Sequence, residues 1–156
     1  MDVGDYLIDH QDFDWPTLLS DWAWLLPDEL TVWLMSRYGD LFLVFGDETV
    51  HMLDVGAGTI EKVGVSRDDF CLRIDEANHA NNWLMIPLVD RLVESGKLLP
   101  PGRCYSFIIP PILGGEYSVE NTATLRIAEH YSVYASIHQQ VKDLPPGTQV
   151  DFKTKA

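Results

Sequence analysis

The chain has 156 residues, is 46% hydrophobic, and carries 24 Asp and Glu against 11 Lys and Arg, a formal charge of −13. A chain of this length and apolar content buries about 70% of its unfolded surface, which excludes disorder and fits one domain. The acidic balance disfavours direct nucleic-acid binding, because affinity for phosphate comes from cations that displace counterions.

No apolar run approaches the roughly 20 residues of a membrane-spanning helix, and the acidic start lacks the basic and apolar regions of a signal peptide. A cytoplasmic protein without a membrane partner is therefore expected. Cys71 and Cys104 are too few for a disulfide framework and are both read as buried thiols.

The first thirty-six residues concentrate eight carboxylates and four of the five tryptophans, and the first basic side chain is Arg37. Mutual repulsion among the acids opposes compaction, so Trp15, Trp22, Trp24 and Trp33 must supply compensating burial. Asp14-Trp15-Pro16 signals a short helix to about Ser20, with a capping acid and Pro in the first turn. A second helix is predicted after Pro27. Asp28 and Glu29 suit its positive end, Leu30, Trp33 and Leu34 fall at i, i+3 and i+4, and Gly39 stops it.

From Leu41 the period changes to that of strands. The segments 41–45, 49–53 and 60–63 predict an antiparallel meander, since Gly46-Asp47 and Gly56-Ala57-Gly58 are too short for parallel crossovers. Gly56-Ala57-Gly58-Thr59 is not a phosphate loop: the Walker Lys and the third glycine of a dinucleotide fingerprint are missing, and a strand follows.

Ser66 opens the next helix, with Asp69 three residues on and Phe70 and Ile74 on one face. Met85, Leu88, Val89 and Leu92 predict another, ended by Gly96, with Pro87 tolerated near its start. Tyr105 to Ile109 reads as a strand, followed by extended chain through Tyr117 and Val119 toward Ile127. The last helix is predicted over about 129–143, and 149–152 as a return to the sheet edge. These elements make an α+β single domain with a mainly antiparallel sheet flanked by helices. An acidic, Trp-rich helical segment over about 1–38 precedes sheet and helices over about 39–156.

Asp75, Glu76 and His79 can share a helical face and are the best candidates for a metal-dependent hydrolase, but three protein ligands plus water and an H-E-x-x-H pattern are not evident. His51 and His138 read as hydrogen-bonded structural side chains, with no nucleophile beside them in sequence. Acid pairs such as Asp68-Asp69 do not establish the separation that glycoside hydrolysis needs. The residues assign no catalytic group, metal or cofactor, which favours a binding role over an enzyme.

Gly39-Asp40-Leu41-Phe42-Leu43, Leu53-Asp54-Val55-Gly56-Ala57-Gly58, Cys104-Tyr105-Ser106-Phe107, Glu120-Asn121 and two longer runs carry a resemblance. The longer runs are Pro110-Pro111-Ile112-Leu113-Gly114-Gly115-Glu116-Tyr117 and Ile137 to Thr148, the latter with His138-Gln139-Gln140 and Lys142-Asp143-Leu144-Pro145. From about Trp15 to Val150 the chain resembles a bacterial family similar to the carboxy-terminal domain of type VI secretion immunity proteins that accompany DNase toxins, often behind a GAD-like domain. The resemblance implies a cytoplasmic inhibitor whose partner is a cognate toxin, a basic nuclease; a general interaction module is the other non-enzymatic reading. It assigns no catalytic residue; Gly114, Gly115, Asn121 and His138 match motif positions and have a structural explanation in turns and loop ties.

An acidic inhibitor can steer toward a nuclease's cationic surface, and tryptophans suit the packed centre of such an interface. The expected contact residues are Asp12, Asp14, Asp21, Trp22, Trp24, Asp28 and Glu29 in the amino-terminal segment, with Glu116, Tyr117 and Glu120 in the later loop.

Overall fold

The computed structural model describes residues 3–76 and 78–144. After a short 3-10 turn at Val3–Tyr6 come helix α1 (Trp15–Leu18), a second 3-10 turn at Ser20–Trp22, and strands β1 (Leu30–Met35), β2 (Leu41–Phe45), β3 (Val50–Asp54) and β4 (Thr59–Gly64). Helices α2 (Arg67–Ile74), α3 (His79–Trp83) and α4 (Ile86–Glu94) follow. Strands β5 (Arg103–Phe107) and β6 (Thr122–Arg126) then lead into the long helix α5 (Ile127–Val141).

The first four strands form an antiparallel sheet in chain order, and β5 and β6 form an antiparallel pair. This is the expected α+β architecture. β2 is its middle: Phe42 and Val44 face one side, Leu41 and Leu43 the other, and all four are buried. An apolar run without alternation is what a strand covered on both faces requires. On one face Phe42, Val44 and Met52 pack with Phe70, Leu84 and Leu88 from α2 to α4; on the other Leu41, Leu43 and Leu53 pack with Trp22, Tyr131 and Tyr134.

The helix predicted after Pro27 is instead strand β1. Its pairing with β2 shifts register between Val32 and Leu34, so Trp33 is an extra residue. Leu30, Val32 and Met35 contact one core, while consecutive Trp33 and Leu34 contact the other. A bulge that puts two neighbours on one face reproduces the i, i+3, i+4 spacing of Leu30, Trp33 and Leu34 without a helix. Trp33 is half-buried against Phe70, with ring centroids 5.3 Å apart.

The two helix-cap signals act as read. Asp14 accepts from Thr17 N–H at the start of α1, and Ser66 Oγ accepts from Asp69 N–H at the start of α2. Asp69 reaches back to Val65 N–H and also takes Arg73 Nε, both at 2.9 Å. The expected extended stretch at 117–121 is a loop, and β6 begins only at Thr122. α3 was not anticipated. Cys104 is buried, but Cys71 is exposed rather than buried: one residue past Phe70, it is rotated about 100° off the inward face of α2. The expected return at 149–152 lies outside the described residues. Among the described residues no helix is long and apolar enough to cross a membrane.

Candidate functional site

Beyond β5 the chain forms a loop that is held rigidly yet displays apolar side chains. Pro110 leads into a 3-10 turn at Pro111–Leu113, capped by Gly114 with φ +89°. Gly115 lies so close to the Ile109 carbonyl that any Cβ would collide with it. Asn121 closes the loop: its Nδ2 donates to Ile109 O and Glu116 O, and its Oδ1 accepts from Ile109 N–H. Lys97 Nζ donates to Val119 O and Thr122 O at 2.9 Å each. Thus the Gly114, Gly115 and Asn121 positions serve loop geometry.

This loop carries exposed Ile108, Ile109, Ile112, Leu113 and Tyr117, with exposed Glu116 and Glu120 beside them. A groove of about 530 Å³ continues from it between the β5–β6 pair and α5, lined by Phe107, Ile109, Leu113, Leu125, Val133 and Ile137. Clustered exposed apolar residues of this kind mark interaction sites more often than scattered ones do. Sequence reasoning chose Glu116, Tyr117 and Glu120 but missed the isoleucines. Their signal was available: four large apolar residues in a Pro- and Gly-rich segment whose backbone must run over the surface.

The amino-terminal segment builds a second groove, of about 310 Å³, lined by Trp15, Leu19, Leu26, Leu30 and Val32 with Asp28 at its edge. Trp15 is anchored by its indole N–H, which donates to His10 O at 2.8 Å, and by an edge contact with Tyr131. Asp12, Asp14 and Asp21 are exposed on the same segment. Glu29 is exposed but leans on Gly46, whose missing Cβ would come within 2.6 Å of its carboxylate.

Trp22 is not a surface residue. It is fully buried, its Nε1 donates to the Tyr131 carbonyl at 3.1 Å, and His138 and Trp24 pack on its ring. Burial of its large apolar surface in the core, with the indole N–H satisfied, outweighs an exposed hot-spot role. Trp24 is half-buried, stacked on Trp22 and overlain by Lys142 Nζ at 5.2 Å from the ring centroid.

The titratable interior has a structural cast. His138 Nε2 lies 2.7 Å from Val55 O, and His130 Nδ1 lies 3.0 Å from Ser106 Oγ. The latter pair has nucleophile–base spacing, but both residues are 2% exposed and burial pushes the His130 pKa down to about 4, leaving a poor base. Burial likewise pushes the Cys104 thiol up, away from the reactive thiolate. Asp40 is buried with its pKa well above the carboxylate range because of desolvation, then the nearby Asp54 charge. Its Oδ1 accepts from Val55 N–H at 2.9 Å.

His79, proposed with Asp75 and Glu76 as a metal face, stacks on Trp83 with centroids 4.6 Å apart, and its Nδ1 lies 2.6 Å from Arg73 O. Among the described residues no three His, Cys, Asp or Glu side chains gather as a metal site. His51 stacks on Phe45 and contacts Thr49 Oγ1 at 3.0 Å. The later loop and the amino-terminal segment thus each present an apolar groove for contact.

Residues 65–138 match the family model described as T6SS immunity protein Tdi1, C-terminal. The resemblance is to this Tdi1 carboxy-terminal family. The matched span runs from the residue before the α2 cap into α5, and so contains the clamped loop; it is narrower than the likeness read from about Trp15 to Val150. The Tdi1 family is one of type VI secretion immunity proteins. No curated protein matches the chain. A crystal structure of Atu4351 from Agrobacterium tumefaciens is similar at a TM-score of 0.49 and 20% identity, covering 68% of this chain and 53% of that one. The chain thus spans about half the length of that protein.

Proposed function

We propose that this chain is a cytoplasmic immunity protein that binds a secreted nuclease and covers its cationic substrate surface, acting by binding and not by catalysis. The observation that carries the reading is the Tdi1-family match over 65–138, which contains the clamped loop with its exposed apolar side chains and flanking Glu116 and Glu120. The charge of −13 supports a basic partner, because complementary fields speed encounter and orient it. Asp12, Asp14, Asp21, Asp28 and Glu29 supply the acidic field, Tyr117 and the isoleucines the desolvated centre, and Trp24 a partly accessible ring at the margin.

The test is capture of partners by the tagged chain from its native bacterium at low and high salt, with identification by mass spectrometry. Recovery of one basic nuclease that is released by salt is expected. A variant with Asp12→Lys, Asp21→Lys and Asp28→Lys should bind it at least about tenfold more weakly while keeping its melting temperature. Asp14 is left in place because it caps α1. Failure to capture a nuclease, together with a full lack of protection in cells producing the toxin encoded beside it, would remove the immunity reading.

A further inference from the structure

A third cleft, of about 370 Å³, lies away from both grooves' apolar floors, between the end of β3, the α3–α4 junction and the side of α4. Met52 and Leu88, both buried, belong to its wall, as do Asp54, Asn81, Asn82, Arg91 and Tyr117. Asp54 closes the β3 strand and Tyr117 lies within the clamped loop, so two segments 63 positions apart in sequence meet here.

The polar groups are unspent. Asp54 uses Oδ1 to accept from Ala57 N–H at 3.0 Å, and its pKa is raised by burial. The Arg91 guanidinium, the Asn81 and Asn82 amides and the Tyr117 hydroxyl make no hydrogen bond or ion pair with any described residue. Arg91, Asn81 and Asn82 are exposed, so water solvates them until a ligand displaces it. Tyr117 is half-exposed, and burial, then the charges of Asp54 and Asp40, push its hydroxyl pKa up; those charges place it within the field of Asp54.

The wall also holds backbone strain. Met85 adopts φ +52°, ψ 43° at the junction of α3 and α4, a conformation that costs a β-carbon residue about 1–2 kcal/mol. Left-handed residues outside glycine concentrate where a particular side-chain arrangement is being held, and here the turn swings α4 so that Arg91 and Asn82 share one cleft. A concave site with an apolar floor and a few convergent polar groups is the usual form of a small-molecule site, and the volume falls in that range.

We propose that this cleft binds a small zwitterionic molecule of the amino-acid type. Its carboxylate meets the Arg91 guanidinium and the Asn81 and Asn82 amides, its ammonium meets Asp54 and Tyr117, and its carbon chain lies over Met52, Met85 and Leu88. A zwitterion gains at Arg91 and at the half-buried Asp54 together, whereas a ligand with one charge gains at one end only and binds more weakly. A bulky nucleotide lacks the cationic end that Asp54 selects. The cleft shares Tyr117 with the proposed toxin surface but none of the exposed isoleucines, so Arg91→Gln is the variant that separates the two sites.

The experiment is a titration of the full isotope-labelled chain with the ω-amino acids from 3-aminopropanoate to 8-aminooctanoate, followed by NMR. Pentanoate and pentylammonium serve as single-charge controls. At least one member of the series should produce saturable shifts at Asn81, Asn82, Arg91 and Tyr117, with single-charge controls binding at least about tenfold more weakly. Arg91→Gln, on the exposed side of α4, should weaken the best zwitterion at least about tenfold without lowering the melting temperature, and Tyr117→Phe should weaken it several-fold. Absence of saturable shifts for every member, or equal binding of the best one by wild type and Arg91→Gln, overturns the proposal. Toxin capture read in parallel keeps failure of this site distinct from failure of the immunity reading.

Discussion

Gly58 and His138 approach so closely that a Cβ on Gly58 would stand 2.5 Å from His138 Nδ1, in the turn between β3 and β4 where Gly58 has φ +70°. The same imidazole reaches Val55 O through Nε2 at 2.7 Å. One side chain from α5 thus touches both ends of the β3–β4 turn, and position 58 is free of strain only as glycine.

Gly58→Ala is accordingly expected to destabilise the fold by about 2–4 kcal/mol, the sum of left-handed strain and overpacking against the imidazole. Gly96→Ala is the control. That residue has φ +88° but no atom within 4 Å of the added Cβ, so only the strain of about 1–2 kcal/mol remains. Urea denaturation of the two variants checks the difference, and equal losses would show that His138 yields freely.

Asn121→Ala removes three hydrogen bonds that close the loop from Ile109 to Glu116. Each is worth about 0.5–1.5 kcal/mol, less where solvent replaces it, so a loss of about 1–3 kcal/mol is expected. Faster hydrogen exchange at the Ile109 amide should accompany it. Unchanged exchange there would mean that Lys97 alone holds the loop.

His130 and His138 both have pKa values lowered from 6.5, chiefly by burial, and His130 falls to about 4. The unfolded chain therefore binds more protons than the folded one between those values. Stability from the neutral imidazoles is complete above about pH 6.5 and declines as pH falls toward 4. For His130 alone the shift corresponds to roughly 3 kcal/mol. The stability of wild type relative to His130→Gln should therefore fall as pH is lowered from 7 to 4.5, read from the denaturation midpoints of both proteins at each pH.

Asp40 has the opposite sign. Its folded pKa is raised, so the stability of the protonated acid is complete below the unfolded value near 3.8 and is lost as pH rises through the folded value. Asn keeps an acceptor for Val55 N–H and cannot ionise. The stability of Asp40→Asn relative to wild type should therefore grow with pH above about 4, and a difference independent of pH would place no charge cost at this position.

Short-range chemistry made much of this molecule legible in its residues. Asp14-Trp15-Pro16 and Ser66-x-x-Asp69 start helices because their side chains satisfy free amides a few atoms away, and 41–64 is a meander because its turns are too short for anything else. The clamped loop was legible as a turn but not as a display of isoleucines, since its Asn121 tie closes over a dozen residues. Trp22 and Trp33 were equally ambiguous: indole area fits a core or an interface, and only the tertiary arrangement put Trp22 beneath α5 and Trp33 in a bulge.

The sequence by itself determined the acidic charge, the helix caps, the hairpin turns and the family motifs, all of which depend on composition or on neighbours within a few residues. Only the tertiary structure decided that β1 is a strand, that Cys71 faces solvent, and that Asp54, Arg91 and Tyr117 line one cleft. The reason is physical: strand pairing, burial and convergence of charge are set by contacts between distant segments, whose free energies exceed the local preferences that a sequence displays.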